Sequence, residues 1–97
     1  MNAPTHAAIE AGHPLRWEAD GVGGFGAVLI ATTYTWENGH ARERRLAHTF
    51  SRENARRLHA EVTAAGGHIS GPGPDEAWDT WNERQQESYA GYGWNHV

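Results

Sequence analysis

The stretch from Phe25 to Phe50 constrains the fold most, because two runs typical of β-strands meet there at Asn38-Gly39. This dipeptide between strand-like runs is the strongest short-range hairpin signal, since a type I′ turn needs positive φ at both central positions. A two-residue loop also fixes the register, so that Val28 is expected opposite Thr49. The sequence predicts a β-hairpin whose strands are longer than the usual length of about five or six residues.

Three further patterns extend the hairpin into an α+β domain. Residues 15–19 alternate apolar and polar side chains, and the glycine-rich turn after them would return the chain antiparallel into the hairpin. Ser51 is expected to cap a helix that ends at Gly66-Gly67, and Asp75 to cap a second helix. We therefore predict a three-stranded antiparallel β-meander with a long β-hairpin, followed by two α-helices packing on the sheet.

The two helices are expected on opposite faces, because both faces of the hairpin base are apolar. The first helix would cover the face with Ala27, Ala31, Leu46 and Phe50, and the second the face with Val28 and Ile30. By segment, we expect a mobile N-terminal arm (1–14), a βββα core (15–67), a Gly/Pro linker (68–74) and an aromatic, acidic C-terminal helix and tail (75–97).

Composition gives no sign of catalysis, a cofactor or a membrane segment. The absence of cysteine removes disulfides, thiolate zinc sites and a cysteine nucleophile. His40 and His48 would lie about 26 Å apart on one strand, too far to share an ion. No serine has the context of a nucleophile elbow. We predict a non-enzymatic cytoplasmic protein with no metal site, no cofactor and no membrane partner.

Charge is strongly segregated along the chain. Residues 1–39 have a net charge of −3, residues 40–73 of +3 and residues 74–97 of −4, and all eight basic residues are Arg. The hairpin tip combines this positive charge with aromatic side chains, and the tail adds aromatics after helix-breaking glycines. We predict a protein-binding surface formed by Tyr34, Trp36, Arg42, Arg44, Arg45, Tyr92 and Trp94. Self-association through this surface stays open.

Nucleic-acid binding is the alternative, because Arg on a β-ribbon and on an adjoining helix can contact phosphates. It would use Arg42, Arg44 and Arg45 of the hairpin together with Arg52, Arg56 and Arg57 of the first helix. A basic third strand followed by Phe50-Ser51 and, four positions on, Ala55 resembles the arm DNA-binding domain of phage-type integrases. The resemblance covers roughly Trp17 to Ala65 and implies a sheet that enters the major groove. The absence of Lys and the acidic ends depart from it.

The sequence thus leaves three functional hypotheses in order. The first is a small protein-binding module, an accessory or inhibitor protein of a phage or mobile element, suggested by small size, excess aromatics and segregated charge. The second is the nucleic-acid-binding domain. The third is a mimic of nucleic acid, in which the acidic second helix replaces a run of phosphates.

Overall fold

The computed structural model describes residues 1–21, 24, 26–34 and 39–94, and the side chains of all of these except Tyr34 and residues 88–94. Within them the chain forms three helices and four strands. In chain order these are α1 (Ala3–Glu10), β1 (Leu15–Ala19), β2 (Ala27–Tyr34), β3 (Ala41–His48), α2 (Arg52–Ala64), β4 (Ile69–Ser70) and α3 (Pro74–Trp94).

The strands form one mixed sheet in the order β3-β2-β1-β4. The pairs β1–β2 and β2–β3 are antiparallel, as the meander requires, and β4 adds a parallel strand beside β1 through Leu15 and Ile69. The α+β class is therefore confirmed, with a fourth strand and a third helix beyond those predicted. Strand β4 lies in the predicted linker and is only two residues long, too short for apolar alternation to reveal.

Helix α1 occupies the segment predicted to be a mobile arm. The Asn2 side chain caps it by accepting hydrogen bonds from the Thr5 amide at 2.9 Å and the Thr5 hydroxyl at 2.6 Å. The Nδ2 of the Asn2 side chain also donates to the Leu46 carbonyl of β3 at 2.8 Å. Ala8 of this helix is 5% exposed and belongs to the core. The arm is thus anchored by one residue that both starts the helix and holds it to the sheet.

The hairpin register differs from the prediction. Val28 pairs with His48 instead of Thr49, and the last described pair of the hairpin is Tyr34 with Ala41. Asn38 lies outside the described residues, whereas Gly39 has the positive φ of 63° expected for it. Strands β2 and β3 are eight residues each. A β-bulge accounts for part of the difference between the predicted and the observed register.

The bulge lies where the register shifts between Leu29 and Ile30, which pair with Ala47 and Arg45 and leave Leu46 as the extra residue. An extra residue reverses the alternation of side chains beyond it. His48 therefore lies opposite Val28, on the other face from the one predicted. Phe50, predicted to lie in the core, is 71% exposed.

Buried residues from all three helices belong to one core cluster, on the face of the sheet where the sequence predicts only the first helix after the hairpin. This core contains Trp17, Leu29 and Leu46 of the sheet, with Ala8 from α1, Ala55 and Val62 from α2 and Ala77 from α3. Trp78 of α3 packs against Gly26, where a Cβ would overlap the indole ring. Its Nε1 also donates to the Thr49 hydroxyl at 3.2 Å. These contacts hold the start of α3 against the same core as α2.

Candidate interaction surface

Strand β3 is an outer strand of the sheet, and residues 41–45 at its start are all exposed. Arg42 lies opposite Thr33 and Arg44 opposite Ala31, on the face that carries the helices. Glu43 and Arg45 alternate onto the opposite face, across from Thr32 and Ile30. The three Arg residues predicted as one group therefore divide between two faces.

Arg45 is held by a buried carboxylate. Its Nη1 donates to Oδ1 of Asp20 at 2.7 Å, while Nδ1 of His48 lies 3.3 Å from Oδ2 of the same side chain. The backbone amide of Gly21 also donates to Asp20, at 2.9 Å. The Asp20 side chain is only 8% exposed, so its charge is compensated within the fold. The bulge at Leu46 brings Arg45 and His48 to the same face, and so to this carboxylate.

Arg16 lies on the same face as Glu43 and Arg45 and binds two carboxylates. Its guanidinium donates to Glu18 at 3.1 Å, to the Thr32 hydroxyl at 3.0 Å and to Glu43. Partial burial acts to lower the pKa of Arg16, but the hydrogen bonds and charge of Glu18 and Glu43 outweigh it and raise that pKa. The charged side chains described on this face thus largely neutralise one another.

Arg52 and Arg56 of α2 bind the acidic start of α3. Nη2 of Arg52 donates to Asp79 at 2.6 Å, and Nε of Arg56 donates to Asp75 at 2.9 Å. Nη1 of Arg52 also donates to the carbonyl of Asp75 at 3.2 Å. The hydrogen bond from Arg56, with that from Arg52, holds the pKa of Asp75 below its ordinary value. These two Arg residues, predicted as possible phosphate ligands, instead link the helices.

Three of the six predicted Arg residues have side chains without a hydrogen bond or ion pair within the described part of the chain: Arg42, Arg44 and Arg57. Arg42 and Arg44 are two positions apart on one side of the same strand, whereas Arg57 stands alone on α2. Among the predicted Arg residues, the two without an ion pair that lie together are therefore Arg42 and Arg44, at the outer edge of β3.

A narrow groove lies beside Arg44, between α1 and the sheet. It has a volume of about 220 Å³. Its walls include Ala7 and Ala8 of α1, and Thr33 and His13 add polar groups. A second hollow of about 260 Å³ between β1 and α3 is lined by Glu18, Thr80 and Arg84, among others. Drug-sized ligand pockets begin at roughly 300 Å³, so the groove beside Arg44 has the size for one side chain.

The structure describes the predicted aromatic residues only in part. Trp36 lies outside the described residues. Tyr34 ends β2, and Tyr92 and Trp94 lie in the last turns of α3, but their side chains are not among those described. The sequence analysis missed Asn2, although an Asn followed within two positions by Pro4 is a common signature of a helix start.

The described residues contain no group of three or more His, Asp or Glu side chains placed to hold a metal ion. Among the helices they form, none is both long and apolar enough to cross a membrane.

Comparisons with known proteins identify no relative. No family model matches the chain, and neither a curated protein nor a solved structure is significantly similar to it. The function is therefore argued from the surface itself.

Proposed function

We propose that this protein is a small non-enzymatic protein-binding module that contacts its partner through the start of strand β3. The supporting observation is the pair Arg42 and Arg44, both exposed and without an ion pair among the described residues, on one side of an outer strand. An outer strand presents unpaired backbone groups that a second polypeptide can use. Unpaired Arg side chains beside such an edge supply selectivity, since they bind carboxylates in a fixed, two-pronged geometry.

A nucleic-acid partner is less favoured, because phosphates would have to compete with carboxylates that are already in place. Arg45 binds Asp20, and Arg52 and Arg56 bind Asp75 and Asp79. Breaking those pairs would expose negative charge beside the nucleic acid, in a chain whose net charge is already −4. The nucleic-acid alternative therefore depends on Arg42, Arg44 and Arg57.

The acidic-mimic alternative loses part of its surface for the same reason, since Asp75 and Asp79 already bind Arg52 and Arg56. An origin in a phage or mobile element and a cytoplasmic location stay predictions from composition. The aromatic residues Tyr34, Trp36, Tyr92 and Trp94 stay part of the proposed surface as predictions from the sequence.

The test is affinity capture from a host lysate, performed with and without nuclease. Three baits are compared: the wild type, the double variant Arg42→Glu/Arg44→Glu, and the matched control Arg57→Glu, which reverses an exposed unpaired charge elsewhere. We expect a protein to be captured in both nuclease conditions by the wild type and the control, and at least tenfold less by the double variant. Capture that disappears with nuclease would favour the nucleic-acid alternative. The proposed surface would be contradicted if protein capture were unchanged by substitution of Arg42, Arg44, Trp36, Tyr92 and Trp94.

A further inference from the structure

Among the described residues, β3 has an unpaired outer edge of definite length, because α1 closes one end of it. The Asn2 amide donates to the carbonyl of Leu46, the bulged residue, so this edge carbonyl already has a partner. The exposed stretch before it runs from Ala41 to Arg45. At about 3.3 Å per residue, that stretch can pair with an added strand of roughly five residues.

The side chains along this edge define what such a strand must carry. On the helix-bearing side, Arg42 and Arg44 would each stand opposite one residue of the added strand, with Cβ atoms about 5 Å apart. Opposite charges at that distance attract and like charges repel. Acidic residues at two alternate positions would therefore pair with the two guanidinium groups.

On the other face of β3, the two charged side chains already have partners. Glu43 binds Arg16, and Arg45 binds Asp20. An acidic side chain there would lie beside Glu43, so the residue between the two acidic positions is expected to be uncharged. The groove beside Arg44, walled by alanines of α1, has room for one further side chain of the segment.

From this arrangement we infer that the partner supplies an extended acidic segment, with acidic residues at alternate positions, that joins the sheet as a fifth strand next to β3. The inference rests on the proposed function and names the chemistry of its partner. Pairing of backbone groups would give affinity, and the two Arg–carboxylate pairs would select the segment.

Charged residues on an outer strand have another common use, which is to prevent strands of different molecules from pairing. The two roles differ in what they require. Protection needs charge of either sign, so exchanging Arg42 and Arg44 for Glu would keep it. Binding an acidic segment needs positive charge, so the same exchange would abolish it.

The probe is a fluorescently labelled eight-residue peptide of alternating Glu and Thr, titrated against the full chain at low salt. We expect binding that is at least tenfold weaker to Arg42→Glu/Arg44→Glu and unchanged for Arg57→Glu. A matched peptide with Lys in place of Glu should bind the double variant and not the wild type. Amide exchange should slow at residues 41–45 on binding of the Glu peptide.

Three outcomes would overturn the inference. One is equal affinity for a peptide with the same Glu and Thr residues in two blocks, since net charge alone would then explain binding. Another is sedimentation showing a dimer that dissociates in the double variant, because a second copy of the chain would then be the occupant. The third is no binding of the alternating peptide, with circular dichroism confirming that every variant is folded. If the peptide does not bind but the double variant still loses capture of a protein from lysate, only the inference of an acidic segment is wrong. If the double variant captures that protein as well as the wild type does, the proposed function fails too.

Discussion

The guanidinium of Arg45 donates a 2.7 Å hydrogen bond to the buried carboxylate of Asp20, which precedes it by 25 positions and starts the glycine-rich turn. This contact joins the hairpin to the turn between β1 and β2. It also removes one positive charge from the surface of β3, so that the charge available to a partner comes from Arg42 and Arg44. Stability and the proposed recognition therefore use neighbouring residues of one strand, and they can be altered separately.

Replacing Asp20 with Asn should destabilise the fold by about 1–3 kcal/mol, the range for a hydrogen bond to a charged group. Asn keeps the shape and can still accept from Gly21, but it carries no charge to compensate Arg45. Urea denaturation monitored by tryptophan fluorescence measures the change. Glu43→Gln is the matched control, because Glu43 is 63% exposed and its pair with Arg16 should contribute less than about 1 kcal/mol. Equal losses in both variants would contradict a special role for the buried carboxylate.

Gly26 should tolerate no side chain. Its φ is +82°, and a Cβ would overlap the ring of Trp78. Gly26→Ala should therefore cost about 3 kcal/mol or more, from backbone strain and overpacking together. Gly39→Ala is the control: its φ is +63° but a Cβ there meets nothing within 4 Å, so only backbone strain of about 1 kcal/mol applies. Thermal unfolding of both variants separates the two contributions. A Gly26→Ala variant no less stable than Gly39→Ala would show that α3 does not need this close contact.

Local patterns predicted the elements that have clear start and stop residues. The Ser51 hydroxyl accepts from the Asn54 amide at 3.1 Å, and α2 then runs from Arg52 to Ala64, as its cap and the following glycines indicate. The basic outer strand was also predicted. In the structure, alternation along this strand places Arg45 on the other side from Arg42 and Arg44.

The parts that could not be predicted depend on contacts between distant residues. A bulge at Leu46 adds one residue to β3, and the charged run before it contains no apolar side chain whose burial would fix the register. The position of α3 depends on Trp78 meeting Gly26, which no local pattern encodes. The pairing of Arg52 and Arg56 with α3 follows from that position. The charge left for binding was therefore overestimated from the sequence.

Asn2 has two functions that conservative substitutions can separate. Asn2→Asp keeps the oxygen that caps α1 but loses the donor to the Leu46 carbonyl, whereas Asn2→Ala loses both. We expect Asn2→Ala to cost about 1–2 kcal/mol, as for other N-cap residues, and Asn2→Asp to cost less. Amide exchange of residues 3–10 should accelerate more in Asn2→Ala than in Asn2→Asp. Unchanged exchange in both variants would mean that other contacts hold α1 to the sheet.

The link between α2 and α3 should weaken in acid. Hydrogen bonds from Arg56, and then from Arg52, lower the pKa of Asp75, so the folded state favours the ionised carboxylate more than the unfolded state does. Its contribution is complete above the unfolded pKa of about 3.9 and is lost as the pH falls through the lower, folded value. Asp75 is solvent-accessible, so salt should reduce the effect. Carboxyl NMR titration should give Asp75 a pKa below its ordinary value in the wild type, closer to that value in Arg56→Gln, and unchanged in the control Arg57→Gln. An ordinary pKa of Asp75 in the wild type would contradict the assignment of this ion pair to Arg56. So would a pKa of Asp75 that changes as much in Arg57→Gln as in Arg56→Gln.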